Sequence, residues 1–532
     1  MDIDADILHL IARRSHLLSR LSSGGRLASE KEKILRLAWE SKAARLSRDS
    51  RLSRDFFVLL QSIEILSRAE EEQGGYNLAP SFEAVDIRLP APTDLMAARC
   101  WLALAAASGQ KLMVERLPLT NAVVSAIKAL NQMGGQIGWD DDGVIQSRGG
   151  SGLTRNMDKV IHIGDDAFNF WLVLAFSAGM PTRLKITGEN SLRFLNLAPV
   201  RHFLPQLGVR LTNVIPSQDG LPVRIECSGL TPPEVTLPDD IPEDFAAALV
   251  LASAFWEHPC RIVFSERAPR LLPLVLSILE VSGAAVRYEE GAVKVERGTL
   301  SLPEKPVIPV DPMVAAVLLM LPGFNGGRVE LSGGWGHFRA HGLVEKMLQD
   351  AGLDVAYAAD SVVCSGKSRA TAAPTAADLA AILEVCPELL PLAALITAAA
   401  VCEGEKTGMP ELSGEDRHLF TAFSAVCGVE ERDGVLVCGG KDAPGFWVAP
   451  SASWAMAYAL AAFLRPNIRL SNPGIVFGRF PSFWKIYNAL PCPDLTGRER
   501  QETEDVRPAR RRVIAQGVYG ELPPEPPAGD DF

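Results

Sequence analysis

One unit recurs six times along this chain: an alanine-rich apolar helix, a short turn and a β-like run. The copies open at Ala97 (AARCWLALAAASGQKLMVERL), Ala167 (AFNFWLVLAFSAGMPTRLKITG), Asp244 (DFAAALVLASAFWEHPCRIVFS), Pro312 (PMVAAVLLMLPGFNGGRVELSG), Glu388 (ELLPLAALITAAAVCEGEKTGM) and Ala452 (ASWAMAYALAAFLRPNIRLSNP). Their spacing of about 70 residues exceeds solenoid periods and is large enough for a βαβαββ unit. The second half of most copies holds an amphipathic helix ending at glycine, then two short strands across a turn, as in LPLVLSILEVSGAAVRYEEGAVKVERG. Asp141-Asp142-Gly143, Glu290-Gly291 and Asp433-Gly434 read as hairpin turns. The first helix of each copy is apolar nearly all round, so it is expected inside its domain and not on a surface.

The repeats span residues 84–490. Before them, residues 1–75 lack proline and read as a small three-helix segment, with helical apolar spacing through Ile7, Leu8, Ile11, Leu17 and Leu18 and a stop at Gly74-Gly75. After them, residues 491–532 are charged and proline-rich, and the last dozen lack the apolar area that ordering requires.

A net charge of −11 argues against nucleic acid or an anionic membrane as partner, though a local basic site for small anions stays compatible with it. The nine cysteines form no C-x-x-C pair and no zinc spacing, which reads as a reducing, cytoplasmic setting without a metal. The N-terminus, MDIDADILHLIARR, is acidic before it is apolar, unlike a signal peptide. The longest apolar runs, such as PLAALITAAAVC, have the length of buried helices and fall short of a membrane span.

Six such units resemble the enolpyruvyl (carboxyvinyl) transferase family, and the local residues resemble most its shikimate-pathway branch, the 5-enolpyruvylshikimate-3-phosphate (EPSP) synthases or 3-phosphoshikimate 1-carboxyvinyltransferases. ITGENSLRFLNLAPVRHFLPQLGVRL, LSGGWGHFRAHGLVEKMLQDAGLDV and VFGRFPSFWKIYNAL carry that likeness. It implies an α/β fold of two lobes, each an inside-out α/β barrel of three repeats. Residues 84–91 with 309–490 would form the first lobe and 92–308 the second. It also implies phosphoenolpyruvate and shikimate 3-phosphate bound between the lobes, addition of the enol to a hydroxyl, loss of phosphate, and no cofactor. Such chemistry needs cations for the substrate anions, a carboxylate to take the hydroxyl proton, and an acid to protonate the methylene carbon.

At the family's site positions this chain differs. Arg99 keeps the first motif's arginine, but Asp94 and Leu95 replace its lysine and serine. Trp171 stands at a second arginine's place, and Pro242-Glu243-Asp244 at that of the Ser-Ser-Gln. Glu388, in Glu-Leu-Leu-Pro, stands for the catalytic aspartate, and Asp416-Arg417 is what remains of Lys-Glu-x-Asp-Arg. Ser451-Ala452-Ser453 replaces Asp-His-Arg, and Gly478, beside Arg479, replaces the late lysine. On this reading Glu388 and Asp416 are the catalytic candidates. Arg99, Arg193, Arg267, Arg270, Arg417 and Arg479 are the anion-binding ones. Each has a plainer alternative: a helix-start acid, a cap, an internal ion pair or a solvated surface group. Losing even two bidentate charge pairs at about 1.5–3 kcal/mol each weakens substrate binding by orders of magnitude.

The helical N-terminus resembles, more loosely, the all-helical chorismate mutases, with Arg13, Ser67 and Glu71 at site positions and with the helices as a dimer or partner module. Three functions stay open: a shikimate-pathway transferase, a transferase for a less charged acceptor, or an inactive paralogue kept for binding or assembly.

Overall fold

The computed structural model describes Leu10, Ile11, Arg14, Trp39, Lys42 and residues 76–493, apart from 141–142, 216–217, 266, 297, 337, 359, 367–371, 413 and 440–445. The N-terminal site candidates Arg13, Ser67 and Glu71, the Asp141-Asp142 turn and the tail from 494 lie outside the described residues.

Six helices correspond to the six apolar runs: α1 (Leu95–Ser108), α2 (Ala167–Ala178), α3 (Glu243–Ser253), α4 (Pro312–Leu319), α5 (Leu390–Cys402) and α6 (Ala452–Ala461). Alanine and leucine favour the helical backbone, and the absence of a polar stripe leaves no face for water. All of α4 and α2 from Phe168 onward are buried, as is α5 from Leu390 to Val401. Glycine or a turn closes each helix; Gly109, at φ +65°, accepts the left-handed conformation after α1. A side chain there would meet the Gly150 carbonyl at 2.2 Å.

The strands of the described residues form six separate sheets of three or four strands. Three of these sheets share one pattern, a parallel pair followed by an antiparallel hairpin. Asp158–His162 pairs in parallel with Pro181–Thr187, which meets Val223–Ser228 and then Val209–Asn213 in antiparallel register. Glu234–Leu237, Arg261–Phe264, Ala292–Glu296 and Ala285–Glu289 repeat it. In the third, Val85–Pro90 supplies the first strand and pairs with Gly327–Ser332, far along the chain. The hairpin turns at Glu290-Gly291 and Asp433-Gly434 have positive φ at both central residues, as a tight two-residue turn requires.

That long-range pairing has a geometric consequence. The chain leaves the Val85–Pro90 sheet at residues 92–94 and returns to it at 309–311, and the two passages run side by side. Thr93 and Val310 form an antiparallel bridge, Asp94 N donates to Pro309 O (2.8 Å), and Asp311 N donates to Pro92 O (2.9 Å). Between the passages, buried residues from Ala97 to Ile308 form one continuous hydrophobic cluster. We call 92–308 the middle segment and the rest of the described body the flanking segments. Two helices therefore start at the crossing: α1 just after Asp94 and α4 just after Asp311.

Candidate functional site

The starts of five of the six buried helices carry acids; α6 follows Ser451 and has none. Asp94 caps α1 by accepting from Ala97 N (2.7 Å), Asp166 caps α2 from Asn169 N (3.1 Å), and Asp311 caps α4 from Val314 N (3.0 Å). Glu243 and Asp244 occupy the first turn of α3, and Glu388 lies in the 3-10 turn Pro387–Leu389 that leads into α5. A helix start exposes unpaired N–H groups and a partial positive charge, so a carboxylate is favoured there. The same property makes a helix start a ready site for external anions.

Two arginines enter this acidic layer. The Arg479 guanidinium grips Asp311 with two parallel bonds, Nε to Oδ2 and Nη2 to Oδ1, both 2.8 Å. Its Nη2 also donates to Glu388 Oε2 at 2.7 Å, and Nη1 to Ser453 Oγ at 3.2 Å. Burial works against its charge, but Asp311 and Glu388 hold its pKa well above the ordinary arginine value. In the middle segment, Arg99 donates through Nη1 to Asp166 Oδ1 (2.7 Å) and Asn169 Oδ1 (2.9 Å), and through Nε to Leu95 O (3.1 Å). Its guanidinium carbon stands 4.9 Å from the centre of the Phe168 ring, a cation–π distance.

The two halves of the layer sense each other across the crossing. Burial pushes the Asp94 carboxyl up to about 6, the Asp311 charge adds to the shift, and the Ala97 N–H and Arg479 oppose it. Glu388, from the flanking side, raises it further. Asp244 is raised too, first by burial and then by Asp166, with Arg99 opposing. Burial also pushes the thiols of Cys100 and Cys386, which border the layer, up to about 12. The layer thus holds five carboxylates (Asp94, Asp166, Asp244, Asp311 and Glu388) against two guanidinium groups. It can hold a proton at Asp94 up to about pH 6, and it offers two cations that already have carboxylate partners.

The other candidates fall elsewhere. Arg270 pairs through Nε with Glu243 (3.2 Å), at the edge of the layer. Arg267 donates to the Glu384 carbonyl (3.1 Å), whose carboxylate also meets Arg339 at 3.4 Å. Arg193 is exposed on the turn Asn190–Phe194 and makes no ion pair among the described residues. Asp416 lies in the first turn of the helix Gly414–Val426, and Arg417 reaches Glu431 at 3.1 Å. No hydrogen bond among the described residues joins that pair to the layer. Trp171, at a second arginine position, is packed between Phe170 (4.8 Å) and Phe245 (5.3 Å) and meets no solvent. His341 is buried with Nε2 2.9 Å from Val310 O, and burial lowers its pKa, which keeps it neutral. Among the described residues no group of acids, histidines and cysteines has the arrangement of a metal site. No described helix is long and apolar enough to cross a membrane.

Sequence reasoning missed Asp311, Asp166 and Asn169. A signal for the first was present: Asp311-Pro312 before an apolar run is an N-cap followed by proline at the first helical position.

Comparison with known proteins bears on this geometry. A 3-phosphoshikimate 1-carboxyvinyltransferase of Methanothermobacter thermautotrophicus is 23% identical over 383 residues, 69% of this chain and 87% of the relative. One from Methanococcoides burtonii is 21% identical over 408 residues, covering 72% and 91%. The chain is a divergent relative of the EPSP synthase-like enolpyruvyl transferases. Among solved structures, EPSP synthase from Acinetobacter baumannii superposes with a TM-score of 0.63 at 17% identity, over 77% of this chain and 97% of that one. The enolpyruvyl transferase NikO from Streptomyces tendae gives 0.54 at 15% identity, over 76% and 94%. These likenesses give the chain the mixed α/β fold of those proteins. No protein-family model matches the chain.

Proposed function

We propose that this EPSP synthase-like chain transfers the enolpyruvyl group of phosphoenolpyruvate to the hydroxyl of a shikimate-3-phosphate-like alcohol, with release of phosphate. In this reading the flanking segments (84–91 and 309–490) and the middle segment (92–308) are the two lobes. The charged layer at their crossing is the site. The observation that carries it is the pairing of two unlike acids there: Asp94, pushed up to about 6, and Glu388, on Arg479. A buried carboxyl that keeps its proton up to about pH 6, beside a half-exposed carboxylate, suits the two proton transfers of an addition–elimination. Glu388, half exposed, takes the hydroxyl proton as the oxygen bonds to the enol carbon. Asp94 delivers a proton to the methylene carbon. A methyl proton then returns to Asp94 as phosphate is expelled, and the proton held by Glu388 leaves with the phosphate.

The arginines set the condition on this reading. Asp311 and Glu388 occupy on Arg479 the positions that a bidentate substrate carboxylate or phosphate takes, and Asp166 does the same on Arg99. Substrate anions bind by exchanging with these internal carboxylates. The same observation favours a second reading, in which the exchange never occurs and the chain is an inactive paralogue kept for binding or assembly. Phosphate release by the purified protein, given phosphoenolpyruvate and shikimate 3-phosphate together, separates the two. Release that needs both ligands and vanishes in Glu388→Gln supports the transferase. A silent protein that also gives no heat with either ligand in calorimetry leaves the paralogue.

A further inference from the structure

Two thiols lie together at the far end of α5, away from its Glu388 end. Cys402 is the last residue of α5 and is half-buried; Cys438 is the last residue of the strand Val435–Cys438 and is exposed. Their Sγ atoms are 3.7 Å apart. A disulfide needs about 2.05 Å, so the sulfurs must approach by less than the movement that rotation of two cysteine side chains at element ends provides. The backbone beneath them is fixed. Val435–Cys438 is held by Val429–Arg432 in antiparallel register, with Cys438 opposite Val429, and Gly439 N donates to Gly428 O at 2.8 Å.

The neighbourhood also sorts the thiols by access. Cys427, two residues before Val429, is buried, and burial first, then the nearby Cys402 thiol, raises its pKa, so it stays protonated and shielded. Of the nine cysteines, Cys438 and Cys492 are the exposed ones among the described residues, and Cys438 has a second sulfur at contact distance. An accessible thiol beside a resolving thiol is the arrangement of a reversible oxidation site.

We propose that Cys402 and Cys438 form a redox pair that closes to an intramolecular disulfide under a peroxide and reopens with a dithiol. The Cys438 sulfur attacks one peroxide oxygen, the O–O bond breaks, and Cys438 becomes a sulfenic acid with release of water. The Cys402 sulfur then attacks the sulfenic sulfur, its proton and the hydroxyl leave as a second water, and the S–S bond forms. Two thiols lose two electrons, and one peroxide gains them. The closed bond ties the C-terminal end of α5 to the hairpin 429–438. The inference rests on the thiol geometry alone and stands whether or not the chain is a transferase.

The test uses the full chain, reduced, freed of reductant and treated with equimolar hydrogen peroxide, then alkylated, digested and mapped by mass spectrometry. The expected product is a Cys402–Cys438 linked peptide, about 2 Da lighter than its two reduced parts, from a protein that stays monomeric on a non-reducing gel and is restored by dithiothreitol. Cys492 in the same sample reports how an exposed cysteine without this neighbour reacts. In Cys402→Ser the Cys438 sulfenic acid should persist and be trapped by dimedone, at least tenfold more than in the unaltered chain. The closed bond should also raise Tm by a few degrees in the unaltered chain and leave Cys402→Ser unshifted. Equal trapping in both proteins, Cys402 still alkylated after treatment, or Cys438 linked to Cys492 or to a second chain would overturn the proposal.

Discussion

Arg99, buried, and Arg479, half-buried, both sit beside the starts of apolar helices, but they are held in opposite ways. Arg479 has two carboxylates, one of them, Asp311, only 5% exposed at its side chain and gripped by two parallel hydrogen bonds. Arg99 has a single carboxylate, Asp166, at 24% exposure, and is otherwise held by neutral groups: the Asn169 amide, the Leu95 carbonyl and the Phe168 ring. The flanking side therefore stores a compact, over-neutralised ion cluster, and the middle side a cation held partly by dipoles. A buried arginine with neutral partners gives up its one carboxylate to an incoming anion more cheaply than one enclosed by two acids. On the transferase reading, Arg99 is the first contact for a substrate anion and Arg479 the later one.

The contrast can be broken at its strongest point. Arg479→Met leaves Asp311 buried without a counter-charge, next to Asp94. It should cost about 3–5 kcal/mol in chemical denaturation at neutral pH. Arg99→Met should cost less, about 2–3 kcal/mol, because water reaches Asp166 and Asn169 keeps its bonds to Ala122 O and Ile163 O. Equal losses would mean that the two arginines are held alike.

Asp94 sharpens the comparison through pH. Its folded pKa of about 6 lies above the ordinary 3.8, so between those values the folded chain binds more protons than the unfolded one. Its contribution to stability is thus present at acid pH and is lost as pH rises from about 4 to 6. Asp94→Asn should remove that fall and leave the protein about 1–2 kcal/mol more stable than the parent at pH 7. Parallel stability-against-pH curves for the two proteins would contradict this. The smallest effect belongs to Glu388→Gln. The Glu388 side chain is 54% exposed and Asp311 keeps its grip on Arg479, so the loss should stay below about 1 kcal/mol by thermal denaturation. A larger loss would make Glu388 a structural partner of Arg479.

Much of the fold was legible in the sequence because it rests on short-range pattern. The apolar helices declare themselves by lacking a polar stripe, and Glu290-Gly291 and Asp433-Gly434 declare hairpins by their tolerance of positive φ. Arg99, Glu388 and Arg479 were legible as candidates by their place in motifs. Their partners were not. Arg479 and Asp311 are 168 residues apart, and only the side-by-side passages at 92–94 and 309–311 bring Asp311 to the crossing. The character of Asp94 was hidden for the same reason. As a sequence feature it is a helix cap replacing a lysine, and its raised pKa comes from burial and from Asp311 and Glu388 of another segment. Asp416 and Arg417 show the converse, a surviving motif fragment whose arginine turns to a neighbouring strand.

Substrate binding at this layer requires that an outside anion displace the internal carboxylates from the arginines. Calorimetric titration of phosphoenolpyruvate into the unaltered chain and into Asp311→Asn, which keeps the helix cap but removes one charge from Arg479, tests this directly. Exchange predicts binding to both proteins, at least tenfold tighter in Asp311→Asn. No binding to either, in protein that unfolds cooperatively, would contradict it.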